Sequence, residues 1–328
     1  MKTLDQKLAS IRSGGYTPKD FIIADAKDAD MAYGLTAPGP ARGAGATGLA
    51  AKAAYLQAMR DMTRSGLVDI MLTSASTAEV LVGEELFAAS GVTPAVRLND
   101  TTDIWYQRGA VYGQAPSRPF RSARLEKVRP LADLGLYSVT FSNDVEHDLR
   151  SLEAYSAFRA EAGALGMRHF LEVFNPAFDV AIPQDEIGQY VGDSIVRCLA
   201  GVVSAEQPVF LKIAYNGRRA MAELAGYDPR RLVVGILGGA KGTTRDTFEL
   251  LAQAEAAGAR VALFGRKINY AESPLALVGL MRQVLARELT PAEAVKAYHE
   301  ALAGLGIQPL APLAADLELS DPVLLAED

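Results

Sequence analysis

Val209-Phe210-Leu211-Lys212-Ile213-Ala214-Tyr215 is an apolar, β-branched run with a single charge at its centre, and it opens the stretch in which the fold is easiest to read. Segments of helical periodicity follow at Arg218–Gly226 and Thr244–Gly258, each leading to another strand-like run, Leu232–Leu237 and then Arg260–Phe264. Asp228-Pro229 and Gly258 mark the joins as turns. Strands alternating with helical patterns of this length predict βα units and a parallel sheet. Working outward, the same alternation predicts strands at Phe21–Asp25, Asp69–Thr73, Ala95–Asn99, Leu136–Phe141 and His169–Phe174. Helices are predicted at Leu49–Ser65, Thr77–Ser90, Ser122–Leu134, Leu149–Gly166, Pro183–Val203 and Pro274–Glu288. About eight strands is the number that closes a (β/α)8 TIM barrel.

That count settles the domain organisation. The 328 residues would fit two domains of ~100–200 residues or one barrel of roughly 250. The strands favour one domain over 1–328, its core at about 18–288, preceded by an N-terminal helix. Residues 289–328 form a C-terminal extension: Thr290-Pro291-Ala292-Glu293 is a capping-box pattern with proline at the first helical position, and an extended arm follows through Pro309 and Pro312. Arg97–Arg121 has no clear periodicity, and a connection of that length marks a functional loop or a subunit contact.

Composition excludes several classes. Hydrophobic residues make up 49% and charged residues 22%, enough for a large core and too little charge for a disordered chain. Ala and Gly abound, as in the run Ala41–Ala46, while aromatics are only 7%, which favours helix-rich α/β over an all-β sandwich. A formal net charge of −6 argues against a nucleic-acid partner, since phosphate neutralisation needs clustered Lys and Arg. The single cysteine, Cys198, excludes an intramolecular disulfide framework or a multi-cysteine zinc site and reads as a small buried hydrophobe. With no apolar run near ~20 residues and no signal-like start, the expected location is cytoplasmic, without a membrane partner.

Lys212 is the residue that points to chemistry. On a strand it shares one side with Phe210 and Ala214, while Leu211, Ile213 and Tyr215 share the other. Both sides are largely apolar, so whichever faces inward, burial is expected to lower the lysine's pKa and leave a neutral amine able to add to a carbonyl. The plainer alternative is a strand-end lysine that snorkels to water or pairs with a carboxylate. Two glycine-bearing stretches favour the first reading. Gly238-Gly239-Ala240-Lys241-Gly242 follows the seventh strand and Gly265-Arg266-Lys267 follows the eighth, where barrels often bind phosphate through backbone N–H groups. Arg266, Lys267 or Lys241 would supply charge.

Lys212 on strand six, Gly238-Gly239 with Lys241 after strand seven, and Phe264-Gly265-Arg266-Lys267-Ile268 after strand eight together resemble the class I aldolases. The relevant branches are the deoxyribose-phosphate, archaeal-type fructose-bisphosphate and tagatose-bisphosphate aldolases. The resemblance is best over Val209–Arg282, and Phe21–Asp25 is similar to their first strand. It implies that Lys212 is the Schiff-base lysine, Asp25 an active-site carboxylate, and Gly238, Gly239, Gly265 and Arg266 the phosphate site. Phe170-Leu171-Glu172-Val173 resembles the strand carrying an acid/base glutamate in the tagatose-bisphosphate branch. The chain departs from relatives in having Lys267 where many read asparagine. Strand four, Tyr137–Phe141, also lacks the tyrosine expected at its catalytic end in the archaeal-type enzymes and the lysine of the tagatose-bisphosphate branch. These differences leave the substrate open.

The implied reaction is cleavage or formation of a carbon–carbon bond of a ketose or ketose phosphate through a lysine imine, a lyase activity of carbohydrate metabolism that needs no cofactor and no metal. Either Glu172 or Asp25 would be the base. Glu172 sits among apolar residues that would raise its pKa; its alternative role is to pair with Lys212, and that of Asp25 is to cap the following turn. Lys27 shares strand parity with Asp25, and a solvated loop lysine explains it as well; Asp28 and Asp30 read as loop residues. Arg97, Asn99 and Asp100 end strand three, where they would read hydroxyls or a second anion, or form a plain salt bridge. His147, His169 and His299 show no ligand spacing. Competing readings are a thiolase-like acyl transferase or isomerase on the same barrel, or a non-catalytic sugar-phosphate-binding protein. The expected partner is a small anionic sugar or sugar phosphate, bound by a homo-oligomer.

Overall fold

In a computed structural model, described for residues 1–41 and 46–326, eight parallel strands close into a barrel. They are β1 Ile22–Lys27, β2 Ile70–Thr73, β3 Thr93–Arg97, β4 Leu134–Thr140, β5 Arg168–Phe174, β6 Leu211–Ile213, β7 Gly235–Leu237 and β8 Val261–Phe264. Each pairs with its sequence neighbour, and β1 closes the ring against β8 through Ile22↔Val261 to Asp25↔Phe264. Of the Ala/Gly run, Arg42–Gly45 lie outside the described residues.

The period-two alternation of side chains splits each strand between two cores. Ile22, Ala24, Ala26, Ile70, Leu72, Ala95, Leu134, Leu136, Phe170, Phe210, Val261 and Leu263 fill the barrel interior. Ile23, Met71, Val96, Tyr137, Val139, Leu171, Val173, Leu211, Ile213, Ala262 and Phe264 pack outward beneath the helices. A strand apolar on both faces is what a helix-wrapped parallel sheet demands.

The N-terminal helix Thr3–Ser13 seals the barrel's lower end with Leu4, Leu8 and Ile11, which join the interior cluster. Its left-handed C-cap is Gly14 (φ 82°). Lys2 Nζ donates to the carbonyls of Phe87, Ser90 and Val92 at 2.8–2.9 Å and pins the helix start. In the extension, helix Pro291–Gly304 carries the expected capping box of Thr290 and Glu293. The arm beyond it folds back onto helix Thr244–Ala256: the Thr244 N–H donates to Asp316 Oδ1 at 2.7 Å, and the Ser320 N–H to Asp246 Oδ1 at 2.8 Å.

Several expected boundaries shift. The predicted helix Ser122–Leu134 shrinks to Leu125–Val128, because Pro130 has no N–H to donate to the turn before it. The helix expected at Thr77–Ser90 spans Ala75–Gly83, and β3 ends at Arg97 rather than Asn99. The aperiodic loop after β3 is ordered: Asp100–Thr101 pairs antiparallel with Pro119–Phe120, and Trp105 packs edge-on against Tyr112 and Phe120. Lys27 is not a solvated loop lysine. β1 continues through it, and it lies buried, 5.8 Å from the centre of the Tyr55 ring, donating to Asn269 Oδ1 at 2.8 Å.

Candidate active site

Three adjacent strands place polar residues where apolar ones fill the interior below. Ser138, Glu172 and Lys212 are register partners on β4, β5 and β6, so all three side chains enter the barrel at one level, above Leu136, Phe170 and Phe210. Lys212 Nζ lies 2.5 Å from Glu172 Oε1. The other carboxylate oxygen, Oε2, accepts a hydrogen bond from Ser138 Oγ at 2.7 Å and lies 3.4 Å from Arg97 Nη1. Glu172 and Lys212 are 1% and 6% exposed, which puts the pair at the sealed floor of the opening.

Arg97 organises the neighbouring wall. Its guanidinium donates to Asp28 Oδ2 (2.9 Å), Ser138 Oγ (3.0 Å) and the Asn99 carbonyl (2.9 Å), and its Nε lies 3.3 Å from Asp100 Oδ1. Burial alone would weaken its hold on the proton, but Glu172, Asp28 and Asp100 outweigh that and hold its pKa above the usual value. Asn99 exchanges two hydrogen bonds with the Ser138 backbone: Oδ1 accepts from N–H at 2.6 Å, and Nδ2 donates to the carbonyl at 2.8 Å. Its side-chain amide thereby prolongs the β3–β4 ladder past the end of β3 and fixes Ser138.

Above this floor lies a cleft of about 280 Å³ lined by the ends of β1, β3, β5, β6, β7 and β8. Gly238, Gly239, Gly265 and Arg266 line it from the ends of β7 and β8, Asp28, Ala29 and Tyr33 from the loop after β1, Ile104 and Tyr106 from the loop after β3, and Phe174 and Asn175 from the end of β5. Gly239 has φ +63°, a left-handed conformation that favours glycine, and a Cβ on Gly238 would stand 3.1 Å from the Phe264 ring. The Arg266 guanidinium sits 5.8 Å from the centre of the Tyr33 ring, and Tyr33 stacks on Tyr106 at 5.4 Å.

The structure therefore brings Lys212, Glu172, Arg97, Gly238, Gly239, Gly265 and Arg266 to one cleft. It does not bring Asp25 there. Asp25 shares parity with outward-facing Ile23; it is fully buried behind the barrel wall, 3.4 Å from Lys27 Nζ, and burial pushes its carboxyl up from the ordinary carboxylate value. Lys241 and Lys267 also stand off the cleft. Lys267 donates to the Lys241 carbonyl at 3.1 Å, with burial lowering its pKa to about 8, and Lys241 Nζ lies 4.0 Å from Glu272. The helix start after β7 is already capped by Thr243, Asp246 and Asp316, so the groups that line the cleft there are the glycine backbone and Arg266.

Sequence reasoning reads Asp28 only as a loop residue and passes over Ser138, Tyr33 and Tyr106. Asp28 was legible in principle, lying two residues beyond Ala26 on the interior parity of β1. Nothing local marks the two tyrosines, which meet only because the loop after β3 crosses to the loop after β1, where the Tyr106 N–H donates to the Ala32 carbonyl at 2.9 Å. His169 bonds to Tyr155, His147 to Asp144 and His299 to Asp316. Among the described residues no group of three or more His, Cys, Asp or Glu is placed to hold a metal ion, and no helix is long and apolar enough to cross a membrane.

No protein-family profile and no curated protein sequence matches the chain. Solved structures do. An archaeal fructose 1,6-bisphosphate aldolase superposes with a TM-score of 0.63 at 15% identity, covering 86% of this chain and 98% of that one. A fructose-bisphosphate aldolase from Slackia heliotrinireducens gives 0.65 at 12% identity, over 91% and 90% of the two chains. An archaeal fructose-1,6-bisphosphate aldolase whose catalytic lysine is covalently bound to the carbinolamine intermediate of its substrate gives 0.59 at 16%, over 86% and 99%. At these identities the likeness is one of fold: the chain shares the (β/α)8 barrel of these structures.

Proposed function

We propose that this protein is a class I aldolase that cleaves and forms a carbon–carbon bond of a ketose or ketose phosphate through an imine on Lys212. The observation that carries this reading is the buried Lys212–Glu172 pair at 2.5 Å on the floor of the cleft. A lysine in an enclosed site with a carboxylate in contact has an acceptor for the proton it must lose before it attacks a carbonyl. The neutral amine adds to the ketone carbon to give a carbinolamine. Loss of its hydroxyl as water, protonated by Glu172, leaves the iminium. A base then takes the proton of the β-hydroxyl, the bond between the α and β carbons breaks, and its electron pair enters the iminium to form an enamine while the aldehyde departs. Protonation of the enamine carbon and addition of water release the ketone product and restore Lys212.

Glu172 serves as the proton carrier in this scheme because it alone of the two expected carboxylates touches Lys212; Asp25 lies behind the wall. Gly238-Gly239, Gly265 and Arg266 hold the substrate's anionic group. Sodium borohydride added with ketose phosphates should fix a reduced adduct on the Lys212 peptide, read by mass. Folded protein that yields no adduct across a panel of ketones and ketose phosphates would refute the imine mechanism.

A further inference from the structure

We infer that the cleft takes a ketose with one anionic group, the far end of whose carbon chain is uncharged, and that the carboxylate-rich floor together with the loops after β1 and β3 enforces this. The ketose rests on the aldolase reading above; the single charge rests on how charge is distributed across the cleft.

Charge is unevenly distributed over the lining of the cleft. On the β7–β8 side, Arg266 lines the opening beside the backbone of Gly238, Gly239 and Gly265, and among the described residues no carboxylate lies within ion-pair distance of it. Its one cation–π contact, with Tyr33, leaves its N–H groups available to an anion. At the floor of the cleft, where β3, β5 and β6 contribute, the cations are already taken. Arg97 and Lys212 are shared among Asp28, Asp100 and Glu172, an excess of one carboxylate in a buried cluster. A second phosphate placed there would meet carboxylates in a poorly screened setting, where like charges disfavour each other strongly. Above that cluster the surface is aromatic and apolar. Tyr106 and Ile104 project from the loop after β3, and the Tyr33–Tyr106 stack with the Tyr106 N–H bond to Ala32 holds them in place. Carboxylates and phenols accept and donate hydrogen bonds to sugar hydroxyls, which suits a neutral hydroxylated chain end.

Ligand-shifted melting tests this with the 1-phosphates, 6-phosphates and 1,6-bisphosphates of fructose and tagatose, on the unsubstituted protein and on Lys212→Met. One of the monophosphates is expected to bind at least ~10-fold more tightly than its bisphosphate, in both proteins. Arg266→Met should weaken that monophosphate ~10-fold or more, and Tyr106→Arg should narrow the gap to the bisphosphate. Bisphosphate binding as tight as any monophosphate, or no stabilisation by any monophosphate, overturns the inference. Borohydride trapping separates it from the aldolase reading. A monophosphate preference without a Lys212 adduct defeats the aldolase reading alone, whereas an adduct with a bisphosphate preference defeats this inference alone.

Discussion

Glu172 and Lys212 are directly paired residues on adjacent parallel strands, and their side chains meet at 2.5 Å inside the barrel. The pairing follows from register: residues opposite each other on neighbouring strands point to the same face, so a carboxylate and an amine at the same level of β5 and β6 must meet. Lys212→Met is therefore expected to abolish borohydride trapping and turnover while the barrel still forms, because methionine fills the site with similar length and no charge. Glu172→Gln should keep the lysine and lower kcat by ~10²–10⁴-fold, the usual range for a lost general acid–base group. Steady-state rates and adduct mass on both variants check this, and a Glu172→Gln enzyme of full activity would remove Glu172 from the proton path.

Arg97 carries the opposite kind of load. Its guanidinium offsets Asp28, Asp100 and Glu172 in a setting where Arg97 itself is 4% exposed. Arg97→Met leaves Asp28 and Asp100 without their guanidinium partner and should cost ~3–5 kcal/mol of stability. Urea unfolding would show the loss as a lower midpoint with an unchanged slope. Arg97→Lys restores the charge without the forked donor geometry and should recover only part of it.

His169 makes the protein acid-sensitive. It is buried on β5 against Tyr155, and burial lowers its pKa from 6.5 to about 4. Between those values the unfolded chain binds the proton and the folded one does not, so stability rises with pH across the window and the loss is complete only below about 4. At ~1.4 kcal/mol per pKa unit the full effect is ~3 kcal/mol. His169→Gln removes the ionisation, so the stability difference between pH 7 and pH 4 should shrink by that amount in chemical denaturation. An unchanged pH slope in the variant would mean that other groups carry the acid sensitivity.

Leu8 closes the barrel from below, at the end remote from the cleft. Leu8→Ala should cost ~2–5 kcal/mol through lost burial and the cavity left behind. The catalytic constants of the folded fraction should stay at their original values, since Lys212 and Glu172 sit above an intervening layer of Phe170 and Phe210, stacked at 4.6 Å. Thermal melting and kinetics measured on the same preparation separate the two effects.

The residue pattern determined the class of fold, because the alternation of apolar strands with helical periodicity leaves a right-handed βα repeat few other ways to bury both faces of its sheet. It also singled out Lys212 as a buried strand lysine: one lysine in the middle of an apolar strand is visible without any neighbour in view. The parity of β1 was the limit of such reading. Asp25 and Asp28 are equally acidic and nearly adjacent, and only the interior position of Ala24 and Ala26 shows that Asp28 enters the cleft and Asp25 does not. Tertiary structure alone decided that Arg97 joins Glu172 and that Tyr106 meets Tyr33, with 74 residues between the first pair in the chain and 72 between the second. Contacts at such separation are set by barrel closure and by the path of one long loop, and no local propensity encodes either.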